Sequence, residues 1–441
     1  MNQDVIDERK YFAEFQSQNL EGFYKWVAKY DAYMFALMKL AGWEPAFSKE
    51  RTVIFTFGEA TFTRRAYRKG NRYRYPVDEK LGLEKNARFS KELLYQVVEL
   101  SKLVVYRRIP DIIELLYQVH ITKETVSKAL GITTALFNER DAYRFYEEHK
   151  DGKKIKAPVI YVEGDGVMVH TKTGEKRWSD LAHFVIHTGS KKVGKSKKRR
   201  ELVNKIEIIS IDWKDALRKL TETLTNFYDL EHCELLVTNS DGGHGYSPHV
   251  FKDLAKLLQI EHHEHFWDEY HLRKKIKDVF RGKSLELREL LFDAIRTHNK
   301  KGAQMALDTQ ASLLDTEDED FEKFSRRLLQ NFQYTTPAEL RGLSHQGIGI
   351  VESQHVKVTV RMKNRKMYWS KRGADTMSRM LVMSKEELRD LWFGSWRQDF
   401  EQYKDLPEQA TEYLKVVNSS YEPYQGKAHW PDKDSRLKHT P

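Results

Sequence analysis

Residues 159–166 read VIYVEGDG, and residues 233–243 read CELLVTNSDGG. Each is a short apolar run that closes on an aspartate beside glycine, the pattern of a buried strand passing into a turn. Between them lie LAHFVIHTG at 181–189 and KIEIISID at 205–212, which read as two further strands, and WKDALRKLTETLTNFYDL from Trp213, an amphipathic helix. Beyond the second stretch, Ser247-Pro248 supplies an N-cap and first-turn proline for a helix running to about Leu258. IEHHEHFWDEYHLRKKI then gives a fifth strand and another helix. Three strands, a helix, a strand, a helix and a strand predict a mixed α/β sheet.

The acids at the strand ends are the informative residues. If the first and fourth strands are parallel neighbours, Asp165 and Asp241 come to lie side by side. Two close carboxylates repel unless a divalent cation sits between them, so the pair predicts Mg2+, with Mn2+ as the alternative. Taken singly, each aspartate also reads as a turn former beside glycine. Glu163 is left out of the set as pointing to the opposite strand face from its neighbours, and Asp212 reads as the cap of the helix at Trp213. His262, His263 and His265 alternate along a strand and cannot all ligate one ion, which argues against a structural zinc.

Upstream, residues 5–48 carry aromatics at helical spacing, among them Phe23, Trp26, Tyr30 and Tyr33. TVIFTFGEATFTRRAY at 52–67 alternates apolar and polar residues around Gly58-Glu59 and predicts a β-hairpin. From Ser90 to about Tyr146 the pattern is helical. There Thr122 is a candidate N-cap for a helix opening at Lys123, and a helix-turn-helix and a plain helical bundle both fit. KDGKKIKAP at 150–158 reads as a linker.

The chain has 441 residues, 40% hydrophobic and 32% charged, which suits several globular units with buried cores. Its 75 Lys and Arg against 65 Asp and Glu give a net charge of only +10, so the distribution matters more than the total. Cations cluster in RRAYRKGNRYRY (64–75), KKVGKSKKRR (191–200) and RMKNRKMYWSKR (361–372). Cations interleaved with aromatics suit a nucleic acid, because charges meet phosphates while rings meet bases. Arg64, Arg65, Lys197, Lys198, Arg199, Arg200, Arg361, Lys363, Arg365 and Lys366 are the candidate phosphate contacts. Trp369 is a candidate for stacking on a base, with burial as its other reading. One cysteine, Cys233, excludes an internal disulfide and a Cys-rich zinc site. The opening MNQDVIDERK lacks the basic and apolar regions of a signal peptide, and no apolar run is long enough to span a bilayer. A cytoplasmic protein with no membrane partner is expected.

Four segments carry a resemblance: VEGDGVMVH at 162–170, TNSDGGHGY at 238–246, FWDEYHLRKKI at 266–276 and VESQHVKVTVRMKNRKMYWSKRGADTMSRM at 351–380. In that order they resemble the DDE-type bacterial insertion-sequence transposases, most closely the ISLre-type family. The resemblance covers about half the chain. It implies a ribonuclease-H-like catalytic domain in which Asp165 and Asp241 match the two catalytic aspartates and Glu352 the glutamate completing the metal site. It also implies a helix carrying Glu352, although Val356, Val358, Val360 and Met362 alternate as in a strand. Asp268 and His271 in DEYH match an Asp/Cys-x-x-His pattern that similar families carry after the second aspartate, near bound DNA. Glu352 lies 111 positions beyond Asp241, and a largely helical stretch in that span is similar to the insertion of Mutator-like and hAT-like transposases.

The resulting division is a helical region at 1–50, a β-hairpin with its basic stretch at 51–88 and a helical, helix-turn-helix-like region at 89–150. A catalytic core follows at 155–275, with a helical insertion at 276–345, the glutamate-bearing part at 346–390 and a C-terminal region with a polar tail at 391–441. The resemblance implies a magnesium-dependent transposase that cuts at terminal inverted repeats and joins the ends to target DNA, working as a homodimer or larger assembly at the bacterial nucleoid. A non-catalytic DNA-binding descendant and a cellular ribonuclease-H-like nuclease are the alternatives.

Overall fold

The structure is a computed structural model that describes residues 6–147, 154–172, 177–194, 200–243, 245–314, 316 and 318–403. Its first element, α1 (Glu8–Leu40), is capped by Asp7 and lies against a three-stranded antiparallel sheet of β1 (Glu44–Phe55), β2 (Gly58–Lys69) and β3 (Arg72–Arg74). The hairpin turns at residues 56–57, just ahead of the predicted Gly58-Glu59, with Phe55 opposite Gly58. Gly58 has φ +132°, a backbone that side-chain-bearing residues rarely adopt. Val27, Val53, Phe55, Ala60, Phe62 and Val77 close a small core here, completed by α2 (Pro76–Lys80).

Three helices follow: α3 (Lys91–Leu103), α4 (Ile109–Tyr117) and α5 (Lys123–Glu147). The helix predicted to open at Lys123 does so, but it runs for 25 residues and buries Val126, Ala129, Leu136 and Phe137 in a core shared with the main sheet. Gly131 does not interrupt it, because a single helical glycine costs only about 1 kcal/mol.

The main sheet contains β4 (Val159–His170), β5 (Trp178–His187), β8 (Ile206–Ser210), β9 (Leu235–Ser240) and β10 (His262–Trp267), in the order β10-β9-β4-β5-β8. A two-stranded ribbon, β6 (Ser190–Lys192) and β7 (Arg200–Leu202), leaves the sheet between β5 and β8. β4 is antiparallel to β5 and parallel to β9, and β9 is parallel to β10. Asp165 therefore lies inside a strand of 12 residues rather than at its end. Pairing with β5 continues to His170, whereas pairing with β9 stops at Gly164 opposite Ser240.

Alternation along the strands divides the sheet into two faces. Ile160, Val162, Phe184 and Ile186 pack against α6 (Trp213–Phe227) and α7 (Pro248–Leu257). Asp212 caps α6 as predicted, accepting from the Lys214 and Asp215 amides. Val167, Val169 and Leu181 face the other way, onto α3, α5 and the helices after the glutamate. The stretch after β10 forms α8 (Glu269–Val279), α9 (Leu285–Arg296), α10 (Lys300–Ser312) and α11 (Glu319–Gln330). These four helices have a core of their own, built from residues that include Leu272, Ile276, Phe280, Leu291 and Phe324.

The chain then returns to the sheet as α12 (Val351–Val358), which continues into one π-helical turn, Thr359–Lys363. This segment is the predicted helix rather than the strand its valines imitate. The described residues end with α13 (Lys371–Val382), α14 (Lys385–Phe393) and α15 (Trp396–Tyr403). No described helix is long and apolar enough to cross a membrane.

Candidate active site

Asp165 is the centre of the site. Its carboxylate is buried, and Oδ1 accepts the neighbouring Gly166 amide at 2.7 Å. His271 of α8 approaches Oδ2 at 3.8 Å, and His355 of α12 at 3.6 Å. One ligand atom each from Asp165, His271 and Glu352 lie within 4.8 Å of one another. Residues 106 and 187 positions apart from Asp165 thus converge on it, carried by the first helix of the insertion and by the helix after the insertion.

Burial raises the Asp165 carboxyl to about 7; His271 opposes this, while Asp241 and Glu352 add to it. Asp241 follows β9 directly, and its Oδ1 is held at 2.6 Å by the Gly243 amide of its own turn. It acts on Asp165 across the strand pair but lies outside the 4.8 Å group.

Asp268 and His271 do not form an exposed DNA contact as a pair. Asp268 is 2% exposed and caps α8, with Oδ1 accepting the His271 amide at 2.9 Å and lying 3.1 Å from its ring Nδ1. Burial alone would raise Asp268, but these bonds and one from Asn239 hold it below the usual carboxylate range. The same hydrogen bond, opposed by burial and aided by Asp165, raises His271 to about 9 and keeps it cationic near neutrality. Asp268 therefore orients and charges His271, and the ring reaches the acids.

Glu163, which the sequence reading leaves out of the site as facing away, is corrected by the structure. Residues two apart on a strand share a face, so Glu163 lies on the same side as Asp165. It is 1% exposed and accepts the amides of Gly349 at 2.7 Å, Ile350 at 2.8 Å and Val351 at 3.0 Å, the backbone that opens α12. Burial raises it to about 7 against the pull of these bonds. Glu163 thereby fixes the helix that carries Glu352. The i, i+2 spacing of Glu163 and Asp165 was the available signal; its partner lay 186 residues away.

Behind the site, His355 is buried, its ring 5.1 Å from that of His183, and burial lowers it to about 3, so it is neutral. His183 lies 3.1 Å from Glu207, which Lys205 and Lys357 also approach at 2.7 and 2.6 Å. Nothing in the sequence spacing joined these residues.

Several predicted DNA contacts are drawn into the fold. Arg361 is 2% exposed and donates to the Ser101 and Val104 carbonyls at 2.9 and 3.1 Å, between the rings of Tyr106 and Trp369. Trp369 is buried, and its Nε1 donates to the Met362 carbonyl, so it takes the burial reading. Arg64 pairs with Asp78 at 2.6 Å and Arg65 with Asp31 at 3.0 Å, and both arginines are partly buried in these ion pairs. Lys363, Arg365 and Lys366 are exposed, with Arg365 also donating to the Leu103 carbonyl. Arg200 is exposed and braces the β6–β7 ribbon through Ser190. Lys197, Lys198 and Arg199 lie outside the described residues, as do residues 404–441 of the polar tail. His263 and His265 both meet the Thr238 hydroxyl at 2.8 Å, a structural use of the histidine-rich strand.

Fold and site together define a mixed α/β protein in which an aspartate of the central strand meets a histidine from the first helix of a helical insertion and a glutamate from the helix after it, with a second aspartate directly after the neighbouring parallel strand. The chain belongs to the UPF0236 family, described as an uncharacterised protein family, which matches residues 43–396. It is similar to a UPF0236 protein in the vanSb 3' region of Streptococcus gallolyticus, with 29% identity over 358 residues covering 80% of this chain and 76% of that protein. A UPF0236 protein of Caldanaerobacter subterraneus subsp. tengcongensis is 22% identical over 385 residues, covering 84% of this chain and 76% of its own length.

Proposed function

We propose that this protein is a DNA transposase of a bacterial insertion sequence, with a catalytic domain of the ribonuclease-H-like kind. The observation that carries the reading is the convergence of Asp165, Glu352 and His271 within 4.8 Å, with Asp241 directly after the strand parallel to β4. The sheet order, with three antiparallel strands extended by two parallel ones on the far side of β4, supports the fold assignment. The name of the Caldanaerobacter relative joins eleven locus designations, which is in keeping with a gene multiplied within one genome.

A divalent cation suits this donor set, because Asp165 is raised to about 7 by burial and by neighbouring acids, a crowding that such a charge relieves. Asp165, Asp241 and Glu352 would hold Mg2+ or Mn2+, which when bound supplies activation of the attacking oxygen and stabilisation of the leaving one at a phosphodiester. The protein's own groups do the rest. Cationic His271, oriented by Asp268, is placed to hold a phosphate oxygen at the acids. Glu163 keeps Glu352 in register through the start of α12. Exposed Lys363, Arg365 and Lys366 offer contacts to the DNA backbone beyond the site.

The test uses DNA carrying the ends of the element that encodes this chain, with Mg2+ or Mn2+. Wild-type protein should nick at the ends. Asp241→Asn should reduce nicking to background while still retarding the same DNA in a gel; retained nicking in that variant, or none in the wild type, would reject the assignment.

A further inference from the structure

The exposed ends of β4 and β5 carry three rings for which the site described above has no use. His170 and Trp178 are cross-strand partners with ring centroids 3.5 Å apart, and Tyr368 lies 5.2 Å from His170 on the other side. Trp178 is 40% exposed and Tyr368 57%. Large rings left open to water in a row are unusual on a surface unless something covers them.

The row is rigidly held. The backbone at Trp369 joins the sheet edge, its amide donating to the His170 carbonyl and its carbonyl accepting the Lys172 amide, both at 2.9 Å. The Trp369 side chain turns into the core and is locked there by Met362. Neighbouring side chains on extended backbone point to opposite sides, so burial of Trp369 presents Tyr368 outward beside His170. The shelf is thus set before any partner arrives.

Its charges indicate the partner. Lys172, Arg177, Lys366, Lys371 and Arg372 adjoin the rings in sequence; all are exposed, and none is ion-paired among the described residues. Rings set among such cations suit a strand that offers flat bases and phosphates together. A duplex keeps its base faces stacked on each other, so only an unpaired strand can use the rings. The shelf also lies on the acids' own strand. His170 is five residues beyond Asp165 on β4, about 17 Å at 3.3–3.4 Å per residue, and the odd separation sets its ring on the other sheet face, so an unpaired stretch from the acids reaches the shelf across the edge of β4 that β9 leaves past Gly164.

We infer that Trp178, His170 and Tyr368 form a stacking shelf for unpaired bases of a single DNA strand leading away from the acids. This rests on the DNA reading proposed above and adds to it a subsite for the separated strand. It is tested with full-length protein and no divalent cation, using a short fluorescein-labelled single strand and the matching duplex in an anisotropy titration. Trp178→Ala and Tyr368→Ala should each weaken single-strand binding about tenfold, the range for loss of one stacked base, with duplex binding unchanged within about twofold. Tyr368→Phe keeps the ring and should bind as the wild type does, which separates stacking from any effect on folding. Single-strand affinity unchanged in both alanine variants, with wild-type DNA binding intact, would overturn the shelf and leave the transposase reading standing. A wild-type protein that binds neither probe would overturn both.

Discussion

Arg361 carries its positive charge into the interior, and this separates what a basic residue can do from what its neighbourhood in sequence suggests. Four cations within six residues, Arg361, Lys363, Arg365 and Lys366, look alike in the sequence. Only the first is enclosed, because the π-helical turn brings it under Ser101 and Val104. Arg361→Ala should therefore lower stability by about 1–3 kcal/mol for each carbonyl left unpaired, read in urea denaturation, without altering the salt dependence of DNA binding. Lys363→Ala should leave stability near wild type and reduce the salt slope of binding by about 1. The reverse pattern would show that the two roles have been exchanged. Asp165 and Glu163 are raised to about 7 and His271 to about 9, each above its ordinary value. A group that binds its proton more tightly when folded adds stability that is fully present below its unfolded value and lost as pH rises through the folded one. Buried neutral histidines such as His355 add stability with rising pH only up to their ordinary value of about 6.5, so without divalent cations Tm should fall between about pH 6.5 and about pH 9. Glu207, which burial alone would raise but which His183 and two lysines lower to about 2, contributes stability that is already complete at the start of that window. Mn2+ should restore more stability at the alkaline end than at the acid end, and a Tm independent of pH would contradict the placement of these three groups.

At the scale of elements, α12 shows how a helix that carries a site residue can be positioned from a distance. Its first amides are held by Glu163 on β4, two residues from Asp165, so one strand sets the acid and also anchors the helix bringing the partner acid. Glu163→Gln removes the charge and places an amide nitrogen where one oxygen accepted. The fold should persist, since the β4 pairing is backbone-made. Amide exchange at residues 349–351 should accelerate, and end nicking should fall by at least about tenfold, the scale of a small misplacement at a reacting centre. Unchanged exchange at those amides would remove the anchoring role. The sequence left this helix ambiguous because Val356, Val358 and Val360 also read as a strand; α12 and the π turn instead bury Val351, His355, Val358 and Met362. Elements with one dominant period, such as α6 and β9, were legible directly.

Across the whole molecule, α3, α4 and α5 are part of the main sheet's own core. Val97, Ile113, Val126 and Phe137 share one cluster with Val167 and Leu181 of the sheet and Met377 and Trp392 beyond it. A chain beginning at residue 154 would expose that face, and it should lose its near-ultraviolet circular dichroism and bind hydrophobic dyes; a cooperative thermal transition in such a fragment would show the layers to be separable. By itself the sequence determined the order of the five sheet strands and the helices among them, the two aspartates beside glycine and the largely helical stretch before Glu352, because these depend on local periodicity and on acids beside glycine. Only the tertiary structure decided that His271 joins the acids, that Glu163 serves the helix of Glu352 and that Arg361 and Trp369 are internal. Those outcomes depend on contacts between residues far apart in the chain, where burial and hydrogen-bond partners are set by how layers pack and leave no mark in local spacing.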